Sequence, residues 1–599
     1  MRMVDLDFGV TTVDRGTLYL GPMNRHLSQA FYPLGLTLFV LFLAFYKSAS
    51  LMKEMGADGI TFLNIMGLDA LFLSLLFLIA LLQSSTRLKS LRILFVLILF
   101  SLTLFYLVDS FVLLALDTHA SLFEIGRYTP EFGVVLSFFD IAAYLALFLL
   151  LVSVFVLIKA TPVVKKAGLV LLVVSLLATG ITAVSAPLPL RSYAILSPHD
   201  LLERIRPQQP VLAYSEAEMA FYAGLRPAAT LIPPTRPNII LLVIESLSSI
   251  NSEKMSGRPG LLDGFDKLAE EGVLFRNFFA NHQASEGGLI ALLGGFPPMH
   301  FPTATPYMFD EFATQASVIA EYQQQGYFAE FLTSADLSFI GLDHFLSGLG
   351  LDRSRGRDDV VAMKLAPRVV QDAPSDAYLY TEALKSVKHL TTANQPFLLV
   401  IASTSTHLPY IHPDGGPDTP EAVWDWSMQQ LAAFHSRLSQ SGFFEHGMLL
   451  ITGDHRQMRP LTYAEIDRYG DSARARVPLL VIGNEYQRGR IDDRFFQQSD
   501  LLRMLGKINH AAVSLSPQTI WIERYNRKYG RIALINTMSI FDEADQGRHE
   551  YRLKVPGNRI EWQDEKPEFA RRLETRIHSQ RSLHQRVRSS LSSRSAENH

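Results

Sequence analysis

The chain of 599 residues contains no cysteine. That excludes disulfides, thiolate metal sites and a cysteine nucleophile. Charge is scarce as well: charged residues are 19% of the chain and the net is −3, so nothing argues for nucleic acid as a partner. The scarcity is uneven. Before about Pro187 charged side chains are few and apolar runs are long; after it the charged residues concentrate. The overall 48% hydrophobic content therefore averages two different halves.

In the first half, five segments approach the roughly 20 apolar residues that a bilayer crossing takes: Ala30–Tyr46, Ile60–Leu82, Leu91–Leu116, Gly133–Ile158 and Gly168–Ala186. The first is not read as a signal peptide, because it starts well inside the chain and four further spans follow. Arg87, Lys89 and Arg92 lie between the second and third spans, and Lys159, Lys165 and Lys166 between the fourth and fifth. The loop between the third and fourth carries Asp117, Glu124 and Glu131 against Arg127. Lys47 and Lys53 in the first loop are a mild counter-signal. The positive-inside rule then places the amino terminus inside and everything beyond the fifth span outside. Asp69, Asp109 and Asp140 fall within spans, as either a polar funnel or residues hydrogen-bonded to neighbouring helices.

The expected organisation is a transmembrane domain over 1–186, a juxtamembrane linker over 187–237, an α/β domain with a largely parallel sheet over 238–560, and an Arg/Ser-rich tail over 561–599. The linker has Pro-rich ends around a helical pattern at His199–Arg206. Apolar runs of strand length at Asn238–Ile244, Val273–Phe278, Tyr327–Leu332, Phe397–Ser403, Met448–Thr452 and Pro478–Ile482 alternate with helical patterns such as Leu261–Glu271, Ala313–Gln325 and Asp425–Ser441.

Four places carry chemistry. Buried parallel strands deliver side chains at their carboxyl ends, and the first run ends on Glu245. Taken alone, such a glutamate could equally cap a helix or pair with an arginine. Ser285 opens a helical run with Gly287 and Gly288 in its first turn, where backbone N–H groups suit an anionic oxygen and glycines permit close approach. The bland alternative is an ordinary serine cap. His407 follows the strand that starts at Phe397, as a candidate acid or anion-binding group. The strand from Met448 ends on Asp454-His455, a hard oxygen beside a borderline nitrogen ligand.

At these four places together the chain resembles the lipoteichoic acid synthase family, the membrane-bound branch of the sulfatase and alkaline phosphatase superfamily. Glu245 is similar to its strand-end metal ligand, Ser285 to its threonine nucleophile, Thr406-His407-Leu408-Pro409-Tyr410 to its His-x-Pro-aromatic loop, and Asp454-His455 to its last metal pair. Ser375-Asp376, Arg476-Val477-Pro478 and Ser499-Asp500 are weaker matches. Two features depart from the family: serine replaces threonine, and Phe339-Ile340-Gly341-Leu342-Asp343 lacks the arginine that helps hold glycerophosphate. A true sulfatase needs x-Pro-x-Arg after its nucleophile, whereas Glu286-Gly287-Gly288-Leu289 follows Ser285.

The resemblance implies one divalent metal on Glu245, Asp454, His455 and the Ser285 oxygen, Mn²⁺ by family and by the single nitrogen among oxygens, with Zn²⁺ or Mg²⁺ as alternatives. It implies a bacterial multi-pass membrane enzyme with its catalytic domain outside. Ser285 would take a phospho-head group, glycerophosphate from phosphatidylglycerol, from a phospholipid of the outer leaflet. It would pass that group to a glycan, polymer or lipid acceptor, with His407 as acid. A phosphoethanolamine transferase or phosphodiesterase is the alternative enzyme, though the former usually carries disulfide cysteines. The alternative of another class is a non-catalytic membrane binding or assembly protein.

Overall fold

The computed structural model describes residues 43–116 and 230–510 apart from short gaps, four strands between 519 and 562, and a few isolated positions. The first, fourth and fifth expected spans, the linker helix and Asp140 lie outside the described residues, save for the end of the first span. By compactness the chain divides into two units. Met1–Tyr46, Met66–Leu107 and Ala142–Ser185 form one, and Lys47–Ile65, Val108–Ile141 and Ala186–His599 the other.

The second and third expected spans are helices, α1 (Gly59–Ser85) and α2 (Lys89–Leu116). Among the described residues one helix, Ile93–Ser110, is long and apolar enough to cross a membrane. Residues 43–53 are helical almost throughout, so Lys47 and Lys53 lie on a helix and not in a loop. Asp69 is buried and accepts a hydrogen bond at 2.8 Å from the Tyr106 hydroxyl of α2, whose ring stacks on Phe72. That satisfies a carboxylate in an apolar setting and supports the helix-to-helix reading of this residue.

The α/β domain is built on an eight-stranded sheet of order β5-β4-β6-β1-β7-β8-β2-β9. The strands are β1 (Asn238–Ile244), β2 (Val273–Phe275), β4 (Phe328–Thr333), β5 (Arg353–Arg355), β6 (Phe397–Ala402), β7 (Gly447–Gly453), β8 (Leu479–Gly483) and β9 (Arg490–Asp492). β3 (Phe278–Phe279) pairs separately with β10 (Phe496–Gln497). β1 is flanked by β6 and β7, both parallel to it, with Val243 opposite Ala402 and Thr452. β8 alone runs against its neighbours β7 and β2. The sheet is thus largely parallel, as expected from strands alternating with helices.

Continuous apolar runs form these strands because both faces are covered. Ile239, Leu241 and Val243 enter one buried cluster, Ile240, Leu242 and Ile244 the other. The first face is closed by α4 (Ser285–Leu289), α5 (Val318–Gln324) and α6 (Leu342–Leu349). The second is closed by α3 (Asp263–Leu268), α7 (Asp376–Thr392) and α8 (Pro420–Gln440). α8 begins earlier than its apolar pattern suggests, since the Thr419 hydroxyl accepts from the Ala422 N–H and Pro420 occupies the first turn. α7 was not expected, because Thr, Ser, Lys and His residues dilute its stripe of Leu379, Ala383, Val387 and Leu390. β11 (Thr519–Glu523), β12 (Thr537–Asp542), β13 (Glu550–Lys554) and β14 (Glu561–Trp562) form a separate antiparallel sheet.

Candidate active site

Parallel pairing of β6, β1 and β7 brings three loops to one edge of the sheet, and α4 starts beside them. Glu245 ends β1 and Asp454-His455 end β7; all three are buried and their ligating atoms lie within 4.8 Å of one another. The Ser285 hydroxyl donates to Glu245 Oε2 at 3.2 Å and lies 3.2 Å from His455 Nε2. His455 Nε2 is 3.4 Å from Glu245 Oε1 and 3.4 Å from Asp454 Oδ2. Glu245, Ser285, Asp454 and His455 thus come together from three separate elements.

Ser285 is the first helical residue of α4 and not its cap: Ala284 holds that position in extended backbone. The glycines explain how the helix gets so close. A β-carbon on Gly288 would stand 2.2 Å from the Asp454 carbonyl oxygen, and one on Gly287 would meet the His282 ring at 2.0 Å. After Leu289 the helix widens into a π-turn, Ile290–Gly294, a distortion frequent at functional sites.

A surrounding layer fixes the donors. Ser246, in left-handed backbone at φ 60°, donates its N–H to Asp454 Oδ1 and its hydroxyl to Glu245 Oε1, each at 2.8 Å. The Thr406 hydroxyl donates to the Glu245 carbonyl at 2.6 Å. Gln498 donates to the Gly453 and Asp454 carbonyls at 2.8 and 2.7 Å. His455 Nδ1 lies 2.8 Å from the Arg456 carbonyl, so the proton sits on Nδ1 and Nε2 is left to ligate. The Arg456 guanidinium in turn is held by Glu465 in a buried two-point pair, at 2.9 Å on each side.

Charge in this pocket is strongly coupled. Burial would raise Glu245, but hydrogen bonding and charge from His455, with His407 behind it, hold it below the usual carboxylate range. Burial and the charge of Glu245 push Asp454 up to about 7. Burial opposes charge on His455, yet Asp454 and Glu245 outweigh it and raise the imidazole to about 9. A pocket that retains protons at neutral pH is short of positive charge. Two carboxylates and one imidazole nitrogen converging with no lysine or arginine among them fit a divalent metal in place of the retained protons, with the Ser285 oxygen at its edge.

His407 stands on the loop after β6. Its N–H donates to the Thr404 carbonyl at 3.0 Å, and its ring touches Gln371 and the Leu408 carbonyl. Asp376, at the start of α7, accepts from the Thr404 and Ser405 N–H groups at 2.9 and 3.1 Å, and so holds this loop. Arg476 lies between the Phe279 and Tyr469 rings, at 4.5 and 4.7 Å, and the Ser499 N–H donates to Asn281 Oδ1 at 2.8 Å. The turn Phe339–Gly341 and the start of α6 supply no arginine. Ser246, Gln371 and Gln498 carry no motif signal of their own, although Ser246 adjoins Glu245 and Gln498 adjoins Ser499-Asp500; Thr406 opens the His407 loop, without a sign that its hydroxyl serves Glu245.

Residues 237–507 match the Sulfatase family model. The match takes in the largely parallel sheet and the candidate site, a little under half of the chain. The chain is also similar to curated proteins called phosphoglycerol transferase I. The similarity is 28% over 216 residues in Xanthomonas campestris pv. campestris (strain B100), covering 33% of this chain and 30% of that protein. In Escherichia coli (strain 55989 / EAEC) it is 23% over 268 residues, covering 41% and 34%. The matched stretch is thus about a third of those relatives' own length. Among solved structures, an alkaline phosphatase superfamily protein from Vibrio parahaemolyticus aligns with TM-score 0.46 at 18% identity, covering 62% of this chain and 96% of that one. The lipoteichoic acid synthase LtaP from Listeria monocytogenes aligns with TM-score 0.44 at 15% identity, covering 63% and 98%. The resemblance drawn from Glu245, Ser285, His407 and Asp454-His455 agrees with the family model and the curated relatives.

Proposed function

We propose that the chain is a membrane-anchored, metal-dependent transferase that moves a phospho-head group from an outer-leaflet phospholipid to an extracytoplasmic acceptor through a covalent Ser285 intermediate. The observation that carries this reading is the Ser285 hydroxyl, 3.2 Å from both Glu245 and His455 at the edge of a buried three-residue ligand set. Glu245, Asp454 and His455 would hold the divalent ion, for which Mn²⁺ suits the mixed oxygen and nitrogen donors. When bound, that ion supplies the local positive charge that favours ionisation of a nearby hydroxyl.

The chain's own residues divide the work. Ser285 Oγ, its proton passing to solvent, attacks phosphorus; the bond from phosphorus to the diacylglycerol oxygen breaks. Protonated His407 gives its proton to that oxygen. In the second step an acceptor hydroxyl gives its proton to His407 and its oxygen displaces Ser285, whose Oγ takes a proton back from solvent to restore the free hydroxyl. Ser246 and Gln498 keep the donors aimed throughout. The name of the curated relatives, phosphoglycerol transferase I, supports glycerophosphate as the group moved, and phosphatidylglycerol is the donor proposed for it. With the spans upstream, the site works beside its lipid at a high effective concentration.

Ser285→Ala removes one oxygen and leaves stability within about 0.5 kcal/mol. It should abolish turnover of a fluorescent phosphatidylglycerol analogue and the phospho-adduct seen by mass spectrometry. Full activity in this variant would sink the covalent mechanism.

A further inference from the structure

His407 faces a side chain that the transfer steps do not use. Val370 bridges Ala373, whose N–H donates to the Val370 carbonyl at 2.9 Å while the Val369 N–H donates to the Ala373 carbonyl at 2.9 Å. The two residues between them, Gln371 and Asp372, have φ of 50° and 55°. Positive φ at both central positions marks a type I′ turn, which normally takes Asn-Gly because other side chains are disfavoured there. Gln371 is thus held against its backbone preference, a condition that persists only when the surroundings enforce it. Arg357 enforces it. Its guanidinium donates to the Asp372 carbonyl at 2.6 Å and to the Asp372 carboxylate, and anchors to Asp336 at 2.8 Å.

The effect of this turn is to bring the Gln371 amide nitrogen to 2.7 Å from His407 Nε2. On the other side of the ring, Nδ1 lies against the Leu408 carbonyl. An amide nitrogen only donates and a carbonyl only accepts. The ring that fits both neighbours is neutral, with its proton on Nδ1 and its lone pair on Nε2. A proton donor to the leaving oxygen needs that proton on Nε2 instead. Among uncharged side chains an amide suits both states, since turning it over exchanges its N–H for its carbonyl.

We propose that Gln371 is the positioning residue of His407. It fixes the ring's direction and tautomer in the resting site, then turns its carbonyl to Nε2 once that nitrogen carries a proton, and holds that N–H until the leaving oxygen takes the carbonyl's place. The inference rests on His407 being the acid of the proposed reaction.

The test uses the full chain in detergent with diethyl pyrocarbonate, which reacts with an unprotonated imidazole nitrogen; the His407 peptide is followed by mass spectrometry at pH 7. Gln371→Gly relieves the turn and removes the amide, Gln371→Met keeps the length without a donor, and Gln371→Glu keeps an acceptor that favours a proton on Nε2. Labelling of His407 should be about fivefold faster in the Gly and Met variants, the weight of one ordinary hydrogen bond, and slower than native in the Glu variant. Equal rates in all four proteins would overturn the assignment. With the fluorescent lipid, Gln371→Met should lower kcat and leave KM within about twofold, since it disturbs only the proton transfer; a rise in KM alone would also overturn it. Labelling needs no substrate, so a native chain that fails to turn over the lipid counts against the transferase reading while the labelling order still decides Gln371.

Discussion

Consider Gly288→Ala. A β-carbon there would stand 2.2 Å from the Asp454 carbonyl oxygen and 2.9 Å from its carbonyl carbon. Relief to ordinary contact needs α4 and the loop after β7 to part by about 1 Å. No flexible side chain can give way, because the obstacle is backbone, and Gln498 pins it through the Gly453 and Asp454 carbonyls. Overpacking of this kind costs about 1–3 kcal/mol, a fall of roughly 2–10 °C in Tm for a domain of this size. The larger effect is on position. Ser285, one turn earlier, holds its hydroxyl 3.2 Å from two partners, and a displacement of about 1 Å puts both beyond hydrogen-bonding reach. Misplacement on that scale costs about 100-fold in rate. The assay pairs thermal unfolding with initial rates of lipid turnover, with Ser285→Ala as the inactive but fully stable reference. A Gly288→Ala protein as stable and as fast as the native one would refute the idea that backbone contact aims the serine.

Asp376→Ala removes the buried acceptor of the Thr404 and Ser405 N–H groups and should cost at least about 2 kcal/mol, measured by denaturant unfolding; an effect below 0.5 kcal/mol on the order of a surface change would refute its role. Burial, opposed by those hydrogen bonds, raises the Asp376 carboxyl to about 6 from 3.8. A raised carboxyl contributes stability at low pH that is lost as pH rises through about 6. The native chain should therefore lose stability between about pH 4 and 6 on this account, and Asp376→Asn should flatten that slope. Mn²⁺ affinity should rise from pH 6 to pH 9, about tenfold per unit for each proton released, because Asp454 near 7 and His455 near 9 must shed protons to ligate. Competition titrations that show a flat affinity across this range would contradict the ligand set.

The runs that became β1, β6 and β7 were legible because strands buried on both faces cannot hide polar residues. Their carboxyl ends could then be read as a site, since polar residues appear there abruptly: Glu245, His407 and Asp454-His455. Gly287 and Gly288 were readable as permission for close approach, though not what they approach. The reversed direction of β8 left no local mark, because an antiparallel strand buried on both faces has the same composition as a parallel one. α7 escaped because its apolar stripe is narrow, and its first residue, Asp376, is committed to a distant loop. Ser246 and Gln371 depend on positive φ at residues that rarely take it, and such backbone states are imposed by tertiary neighbours. The β11–β14 sheet lies beyond the stretch where any motif was recognisable.

The central place of β1 has a consequence for how the protein is made. It is synthesised before either of its sheet neighbours, and Ser246 meets Asp454 across a sequence separation of 208 residues. At ordinary rates of about 5–20 residues per second, a gap of that size takes roughly 10–40 s. For that time Ile239 to Ile244, an apolar strand with at least one edge unpaired, is a template for wrong pairing. The proposed ligand set is thus complete only once β1 has both of its sheet neighbours. A chain stopped just short of β7 would lack Asp454 and His455 and leave one edge of its middle strand bare.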